Sequence, residues 1–211
     1  MTGLATLLTL SDSRLPTGGH VHSGGVEEAI TSGLVTDLPA LRAFLVRRIR
    51  THGLVTASMA AAVHGGTLDP ARADLETDAR TPAPAARAAS RAQGRGLLRL
   101  ARRVWPERDW VPLGAKPHLG VAAGAVGAAS GLSPEQTALS LVYTTMTGSA
   151  TAAQRLLALD PGDVAALTFE LSGLCERTAA EAAKELADLS DPLLDVLAQR
   201  HVERERPLFV S

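Results

Sequence analysis

Hydrophobic positions in this chain recur at helical spacing over most of its length. After Asp37, a residue that can cap a helix, Leu38, Leu41 and Leu45 fall on one helical face. No stretch alternates between polar and apolar residues for long enough to indicate a β-strand. The pattern therefore predicts an all-α fold, with residues 1–211 forming a single-domain bundle of roughly eight to ten helices.

Capping signals place several helix boundaries. In the run 133–136 (SPEQ) the serine can cap a helix, the proline fits the first turn, and the glutamine stands three residues after the cap. The helix that follows should extend to about Leu159. The run 160–163 (DPGD) predicts a turn whose last residue, Asp163, caps the next helix. His52-Gly53 predicts a break or a kink.

Glycines within the helical segments indicate close helix packing in one segment and weaken the prediction of a helix in another. Gly120, Gly124 and Ala128 follow one another at four-residue steps, a spacing that lets helix backbones approach closely. This spacing predicts a tightly buried core helix. Gly94 and Gly96 lie inside an arginine-rich segment, where they weaken the prediction of a continuous helix.

Composition narrows the class of protein. A chain of 211 residues fits one domain, and an aromatic content of 3% means that Ala, Leu and Val must build the core. The sequence has no apolar run of the roughly 18 residues that a membrane span needs, and its start lacks a signal-peptide pattern. The single cysteine, Cys175, is expected to be buried and suits a reducing compartment, so the sequence predicts a cytoplasmic protein.

The formal net charge is −1, but the charge is unevenly distributed. Eight arginines lie between Arg80 and Arg108 against a single acid, Glu107, whereas nine acids lie between Asp160 and Asp195. The arginines can form a solvated helix face or a surface for a protein partner. A third hypothesis is a nucleic-acid regulator, but no stacking aromatics or nucleic-acid motif accompany the arginines. We therefore expect no nucleic-acid partner.

Familiar catalytic motifs are missing from the sequence. The run GGHVHSGG lacks the Lys-Ser/Thr of a nucleotide P-loop, and neither HExxH, GxSxG nor a cysteine pair occurs. The carboxylate pairs Glu27-Glu28 and Asp188-Asp191 are interpreted as charged helix faces with no partner histidine nearby. The sequence therefore predicts no catalytic residue, no tightly bound cofactor and no enzymatic activity.

The segment 11–28 (SDSRLPTGGHVHSGGVEE), called here the signature segment, concentrates glycines and histidines. His20 and His22 are weak candidates for a metal site, because two imidazoles leave a metal ion underdetermined. A hydrogen-bonded turn histidine is favoured over a transient nickel or zinc contact, and no dedicated metal site is predicted.

The signature segment resembles the N-terminal signature of the UreF family of urease accessory proteins, which reads approximately SDSALPIGGFSHSFGLE. The matching residues are Ser11, Asp12, Ser13, Leu15, Pro16, Gly18, Gly19, His22, Ser23, Gly25 and Glu27. The chain also ends similarly to the family's closing motif, through His201, Leu208, Phe209 and Ser211. His20 and Gly24 stand where the family usually has aromatics, and the segment 154–163 lacks the expected Gln and Pro-Leu-Gly.

The resemblance implies an all-helical, commonly dimeric protein without catalytic activity of its own. Its implied role is a scaffold between UreD (also called UreH) and the GTPase UreG, in a complex that delivers nickel to apo-urease and handles the ion transiently. The implied partner-binding residues are Asp12, Pro16, Gly18, Gly19, His22, Ser23, Glu27, His201, Leu208, Phe209 and Ser211. The alternative is a nickel-binding chaperone that holds the ion itself through His20 and His22.

The two ends of the chain also carry structural expectations. Asp12 and Ser13 should pin a turn, the glycines of the signature segment should adopt dihedrals that other residues resist, and His22 should hydrogen-bond across the turn. Ser23 should cap the helix that follows. The segment is either a surface for a partner, part of a passage for the ion, or a turn needed only for stability. The tail after His201 either packs back onto its own domain or docks into UreD or urease.

Overall fold

A computed structural model describes residues 3–205 and 207–210, and within them the chain forms ten α-helices and no β-strand. This confirms the predicted all-α class. The helices are α1 (Leu4–Leu10), α2 (Val26–Thr31), α3 (Leu38–Arg48), α4 (Leu54–His64), α5 (Pro70–Arg80), α6 (Pro84–Val104), α7 (Leu119–Ala129), α8 (Pro134–Leu157), α9 (Pro161–Ala182) and α10 (Pro192–His201). Short 3-10 turns lie at Gly19–Val21 and Val111–Leu113.

Helix α8 joins two apolar clusters. It packs against α4 and α9 and also contacts α2, α3 and α7. The larger cluster, around Leu45, Met146 and Leu197, draws on α2, α3, α4, α8, α9 and α10, and the smaller one, around Leu98 and Val121, lies mainly between α4, α6 and α7. Each fully buried side chain of this size contributes roughly 1.5–3 kcal/mol. The shared helix makes the two clusters one body.

The SPEQ run forms the predicted capping box. The Ser133 hydroxyl accepts from the Gln136 N–H at 3.1 Å, and the Gln136 side chain accepts from the Ser133 N–H at 2.9 Å. These bonds satisfy backbone donors that have no partner within a helix. Helix α8 then ends at Leu157, two residues before the predicted end.

The prediction that Asp163 caps α9 was wrong. Asp160 is the cap, and its Oδ1 accepts from the N–H groups of Gly162 at 2.7 Å and Asp163 at 3.2 Å. Pro161 takes the first helical position, which proline favours because its missing N–H is not needed there. The capping residue is therefore the one before the proline.

The break or kink predicted at His52-Gly53 is a π-helical turn over Ile49–Gly53. The backbone stays helical from α3 into α4, so the chain widens locally instead of stopping. Such turns are frequent at functional sites. This one carries Thr51 and His52 and immediately follows Arg48.

Glycines allow close contact between helices and their neighbours. A Cβ on Gly120 or Gly124 would collide with carbonyl groups of α4, so these residues let α7 lie close against α4, as predicted. Ala128, however, is exposed, and the inclusion of this residue in the buried stripe was wrong. Gly127 makes the next close contact instead, against Thr137 of α8.

Helix α6 is continuous despite Gly94 and Gly96. A Cβ on Gly94 would overlap the carbonyl of Pro117, and one on Gly96 would overlap the carbonyl of Thr17. The conformational cost of glycine in a helix is thus offset by close packing against two other segments. One of these is the signature segment.

Cys175 is buried, as predicted, with its sulfur 3.7 Å from that of Met146. Burial raises the pKa of its thiol to about 11. Across the described residues, no helix combines the length and the apolar character that crossing a bilayer requires.

Candidate functional site

The signature segment begins with a turn that Asp12 holds. Its carboxylate accepts from the Arg14 N–H at 2.8 Å and from the Arg14 Nε at 3.0 Å. The hydrogen bonds from Arg14 lower the pKa of Asp12 to about 2, although the pair is exposed to solvent. Ser13 and Pro16 are exposed. Asp12 therefore pins the turn, as expected.

The glycines of the signature segment differ from one another. Gly18, Gly24 and Gly25 have φ values of 84°, 67° and 88°, in the left-handed region that other residues resist. Gly19 does not share this conformation and begins the 3-10 turn, so the expectation that it needs glycine's freedom was wrong. An added Cβ on Gly19 would meet only ordinary contacts near 3.8 Å.

Ser23 connects the signature segment to the core. It is fully buried, its carbonyl accepts from the Ser149 hydroxyl at 3.0 Å, and its own hydroxyl accepts from the Glu27 N–H at 3.3 Å. Gly25 is the N-cap of α2, so Ser23 reaches the first turn of this helix from two residues before the cap.

Glu27 holds the C-terminal tail (residues 207–210) against α2. Its side chain is buried, and its two oxygens accept from the N–H groups of Leu208 at 2.8 Å and Phe209 at 3.0 Å. His201, also buried, donates from Nε2 to the Phe209 carbonyl at 3.1 Å, and its Nδ1 lies 3.9 Å from the Glu27 carboxylate. The interpretation of Glu27-Glu28 as a solvated face without a nearby histidine was wrong, because the fold brings α10 onto α2.

Further bonds join the two ends of the chain. The Val210 N–H donates to the Val21 carbonyl at 2.7 Å, which ties the tail to the signature segment. Arg204 pairs with Glu28 at 3.2 Å and donates to the Thr31 hydroxyl. The first and last parts of the described chain therefore form a single surface.

The tail packs onto its own domain and still presents apolar side chains to solvent. Phe209 is partly buried against the larger core cluster. Leu208 is 79% exposed and Val210 is 64% exposed. Ser211, which the resemblance includes among the partner-binding residues, lies outside the described residues.

His20 and His22 lie in the signature segment, beside the cavity described below. His20 is exposed and His22 is half-buried. Burial, followed by the nearby His20 and His201, lowers the pKa of His22, which favours its neutral form. Neither histidine belongs to a group of three His, Cys, Asp or Glu side chains with clustered ligand atoms in the described chain.

A cavity of about 260 Å³ lies behind the signature segment. Asp12, Gly19, His20, His22 and Gly24 contribute to its lining. Its lining also includes residues with hydroxyl, imidazole or charged groups from α3, α8 and the π-helical turn, among many apolar side chains: Arg48, Thr51, His52 and Ser149. The resemblance does not mark Arg48 or His52. Only the fold shows that they line the same cavity as the signature segment.

The ligand-type cluster that the structure does contain joins α5 to the start of α7. It consists of Asp74, Asp78 and His118. His118 is fully buried and its Nε2 donates to Asp78 at 2.9 Å, while Arg91 pairs with both carboxylates at 2.8 Å. Burial lowers the pKa of His118. Arg91 bridges the two carboxylates and Arg87 lies 4.0 Å from Asp78, so the two acids face two arginines in an ion-pair network between helices.

The arginines of α6 divide into two groups. Arg87 and Arg91, in its first half, pair with acids of α5. The remaining arginines of this helix are exposed and make no ion pair within the described residues: Arg95, Arg99, Arg102 and Arg103. The same holds for Arg108, which lies in the loop after α6. The four-residue spacing of Asp74 and Asp78 and of Arg87 and Arg91 was the sequence signal for the paired half.

The fold and this surface define an all-helical protein in which the signature segment and the C-terminal tail are joined on one face. The signature segment also lines a cavity that contains apolar, hydroxyl-bearing and charged side chains. The UreF family model matches residues 35–172, more than half of the chain. The chain is 80% identical to the urease accessory protein UreF of Mycolicibacterium vanbaalenii and 72% identical to that of Mycobacterium tuberculosis, with all of both chains covered in each case. This chain therefore belongs to the UreF family.

Proposed function

We propose that this chain is a non-enzymatic, homodimeric scaffold of urease maturation in the cytoplasm. In this role it links UreD (UreH) and the GTPase UreG during GTP-dependent nickel insertion into apo-urease, while the ion is handled transiently by the complex. Membership of the UreF family, whose named relatives are urease accessory proteins, supports this proposal. The observation that carries it is the surface where Glu27 holds the tail.

This surface has properties that suit docking. Backbone bonds fix Leu208 and Phe209 in place, so a partner would meet a preorganised tail and the entropy cost of ordering it would already be met. Leu208 and Val210 then project apolar side chains beside a polar rim. Interfaces commonly combine an apolar centre with such a rim.

The test is urease activation in a mixture of apo-urease, nickel, bicarbonate, GTP, UreD and UreG, with and without this chain. We expect the double variant Leu208→Ser/Val210→Ser to reduce activation at least about tenfold, the effect of losing one interfacial anchor. Its thermal stability should be unchanged, because both side chains are largely exposed. Val111→Ser is the matched control, since Val111 is 81% exposed on another face.

Two results would contradict the proposal at different levels. Full urease activation by the double variant would show that Leu208 and Val210 are not part of the docking surface. Absence of activation by the unaltered, folded chain with active partners would overturn the scaffold itself.

A nickel chaperone is the second candidate, because His20 and His22 both line the cavity. Equilibrium dialysis with nickel distinguishes it from the scaffold. One tight equivalent that is lost in His20→Ala/His22→Ala would favour the chaperone, and no retained nickel would eliminate it.

A further inference from the structure

Arg48 places an uncompensated positive charge at the wall of the cavity. It is the last residue of α3 and directly precedes the π-helical turn. Its Nε is shielded from solvent and has no hydrogen-bond partner among the described residues. No carboxylate of those residues pairs with Arg48. A buried donor that is left unsatisfied is costly, and an unpaired buried charge is more so.

Asp191, whose negative charge acts on Arg48, is already paired with Arg47. Asp191 accepts from Arg47 Nε and Nη2 at 2.6–3.0 Å, from the Thr51 hydroxyl at 2.7 Å, and from two N–H groups of α10. Arg47 alone pairs with this carboxylate, so the positive charge of Arg48 has no paired counter-ion among the described residues. Burial lowers the pKa of Arg48 to about 10, so the charge is still present at neutral pH.

The surroundings leave room for a ligand at this charge. The Arg48 guanidinium lies against Gly24, where an added Cβ would overlap it. Burial, followed by the charge of Arg48, lowers the pKa of His52 to about 3, so this imidazole is neutral and can act as a hydrogen-bonding neighbour. The cavity of about 260 Å³ falls below the roughly 300–1,000 Å³ of pockets for drug-sized ligands.

We propose that the cavity is a binding site for a small oxyanion, with Arg48 as its principal ligand and Thr51 and His52 as polar neighbours. A guanidinium presents donors in a fixed fork that matches the oxygens of carboxylate, carbonate or phosphate. The bound anion supplies the charge and the acceptor that Arg48 lacks. This inference does not rest on the proposed scaffold role.

The test measures thermal unfolding of the full chain while inorganic phosphate is added at constant ionic strength, with bicarbonate and acetate as planar probes. A specific site gives a saturable rise in Tm of about 5–10 °C at about 100 times the Kd. We expect the rise in the unaltered chain and in Arg50→Met, and its loss in Arg48→Met. Arg50 is the matched control because it is an exposed arginine of the same turn.

Arg48→Met has a second signature. Without added oxyanion, its Tm should rise by about 2–4 °C, because a half-buried charge that lacks a paired carboxylate is replaced by an apolar side chain of similar length. A comparable anion-dependent rise in Arg48→Met would overturn the proposal, since it would reflect a general salt effect. So would the lack of a saturable rise with all three anions in the unaltered chain.

If Arg48→Met does not fold, two measurements keep the test decisive. In the unaltered chain, the ¹H–¹⁵N resonance of the Arg48 Nε should move saturably as phosphate is added. In Arg48→Lys, which keeps the charge and loses the fork, phosphate affinity should fall about tenfold. An unmoved resonance together with unchanged affinity in Arg48→Lys would refute the site.

Discussion

Two buried carboxylates attach α10 and the C-terminal tail to the other helices, Asp191 at the start of α10 and Glu27 at the tail, and the two attachments differ. At its start, Asp191 forms a two-pronged ion pair with Arg47 and also caps α10. At its end, Glu27 accepts two neutral backbone N–H groups of the tail. The first attachment joins opposite charges, and the second joins a charge to the main chain.

The two attachments therefore have different roles: the one at Asp191 stabilises the fold, and the one at Glu27 holds the tail with two apolar side chains exposed. The ion pair depends on both side chains and fixes α10 against α3, so it belongs to the body of the fold. The bonds to Glu27 use only the backbone of the tail, which leaves the side chains of Leu208 and Val210 free to face outward. The end of the segment can therefore display apolar groups that the fold does not need.

The largest effect is expected when the first attachment is broken. Asp191→Asn removes the charge that pairs with Arg47 and one of the two oxygens that accept from Arg47 and Thr51, so the free energy of unfolding should fall by about 3 kcal/mol. Urea unfolding measures this change. Asp188→Asn is the control, since Asp188 is 94% exposed and should cost almost nothing. Equal losses in the two variants would contradict the structural role given to Asp191.

The Asp191 carboxylate should also make the free energy of unfolding depend on pH in the acidic range. Burial alone would raise the pKa of Asp191, but the bonds from Arg47 and Thr51 outweigh burial and lower it below 3.8. Because the pKa of Asp191 is lower in the folded than in the unfolded state, its ionised form stabilises the folded protein at pH values above the unfolded-state pKa. This stabilisation declines as the pH falls through the folded-state pKa. Unfolding free energies measured from pH 6 downward should fall less steeply below about pH 4 in Asp191→Asn than in the unaltered chain.

A smaller effect should come from the turn that leads to Glu27. Gly24→Ala must hold alanine at φ 67° and displace the Arg48 guanidinium, so we expect a loss of about 2 kcal/mol. Gly19→Ala meets neither difficulty and should change the free energy by less than about 0.5 kcal/mol. Chemical unfolding of the two variants in parallel decides the matter, and a greater loss in Gly19→Ala would refute the assignment.

The smallest global effect should come from the second attachment. Glu27→Gln replaces one acceptor by an NH₂ group that faces a tail N–H, which should cost about 1 kcal/mol. The local effect should be larger, with hydrogen exchange at the Leu208 and Phe209 amides accelerated at least about tenfold. Glu28→Gln, which alters the pair with Arg204, should leave these two amides protected. Equal protection in both variants would show that Glu27 does not hold the tail.

Local signals anticipated the helices better than the site. The capping box at Ser133 and the helical spacing after Asp37 were predicted correctly, because a cap and an apolar face depend on residues a few positions apart. The misplaced cap at Asp163 had a local cause as well, in the preference of Pro161 for the first helical position. Errors of this kind can be corrected from the sequence alone.

The site depended on contacts between distant residues. Glu27 was interpreted as solvated because its partners, His201 and the tail amides, follow more than 170 positions later. Arg48 had no sequence signal of its own. Arg48 lacks a paired carboxylate because Asp191 pairs with Arg47, and the sequence does not show which of the two arginines Asp191 will bind.

By itself, the sequence determined the helical class, the starts of α3 and α8 and, through the signature segment, the family resemblance that the comparisons confirmed. The tertiary structure alone decided which charges are buried, which of them are paired, and that the signature segment meets the C-terminal tail on one surface. The physical reason is one of range. Capping and helical periodicity act within a few residues, whereas the burial and pairing of a charge depend on every element that the fold packs around it.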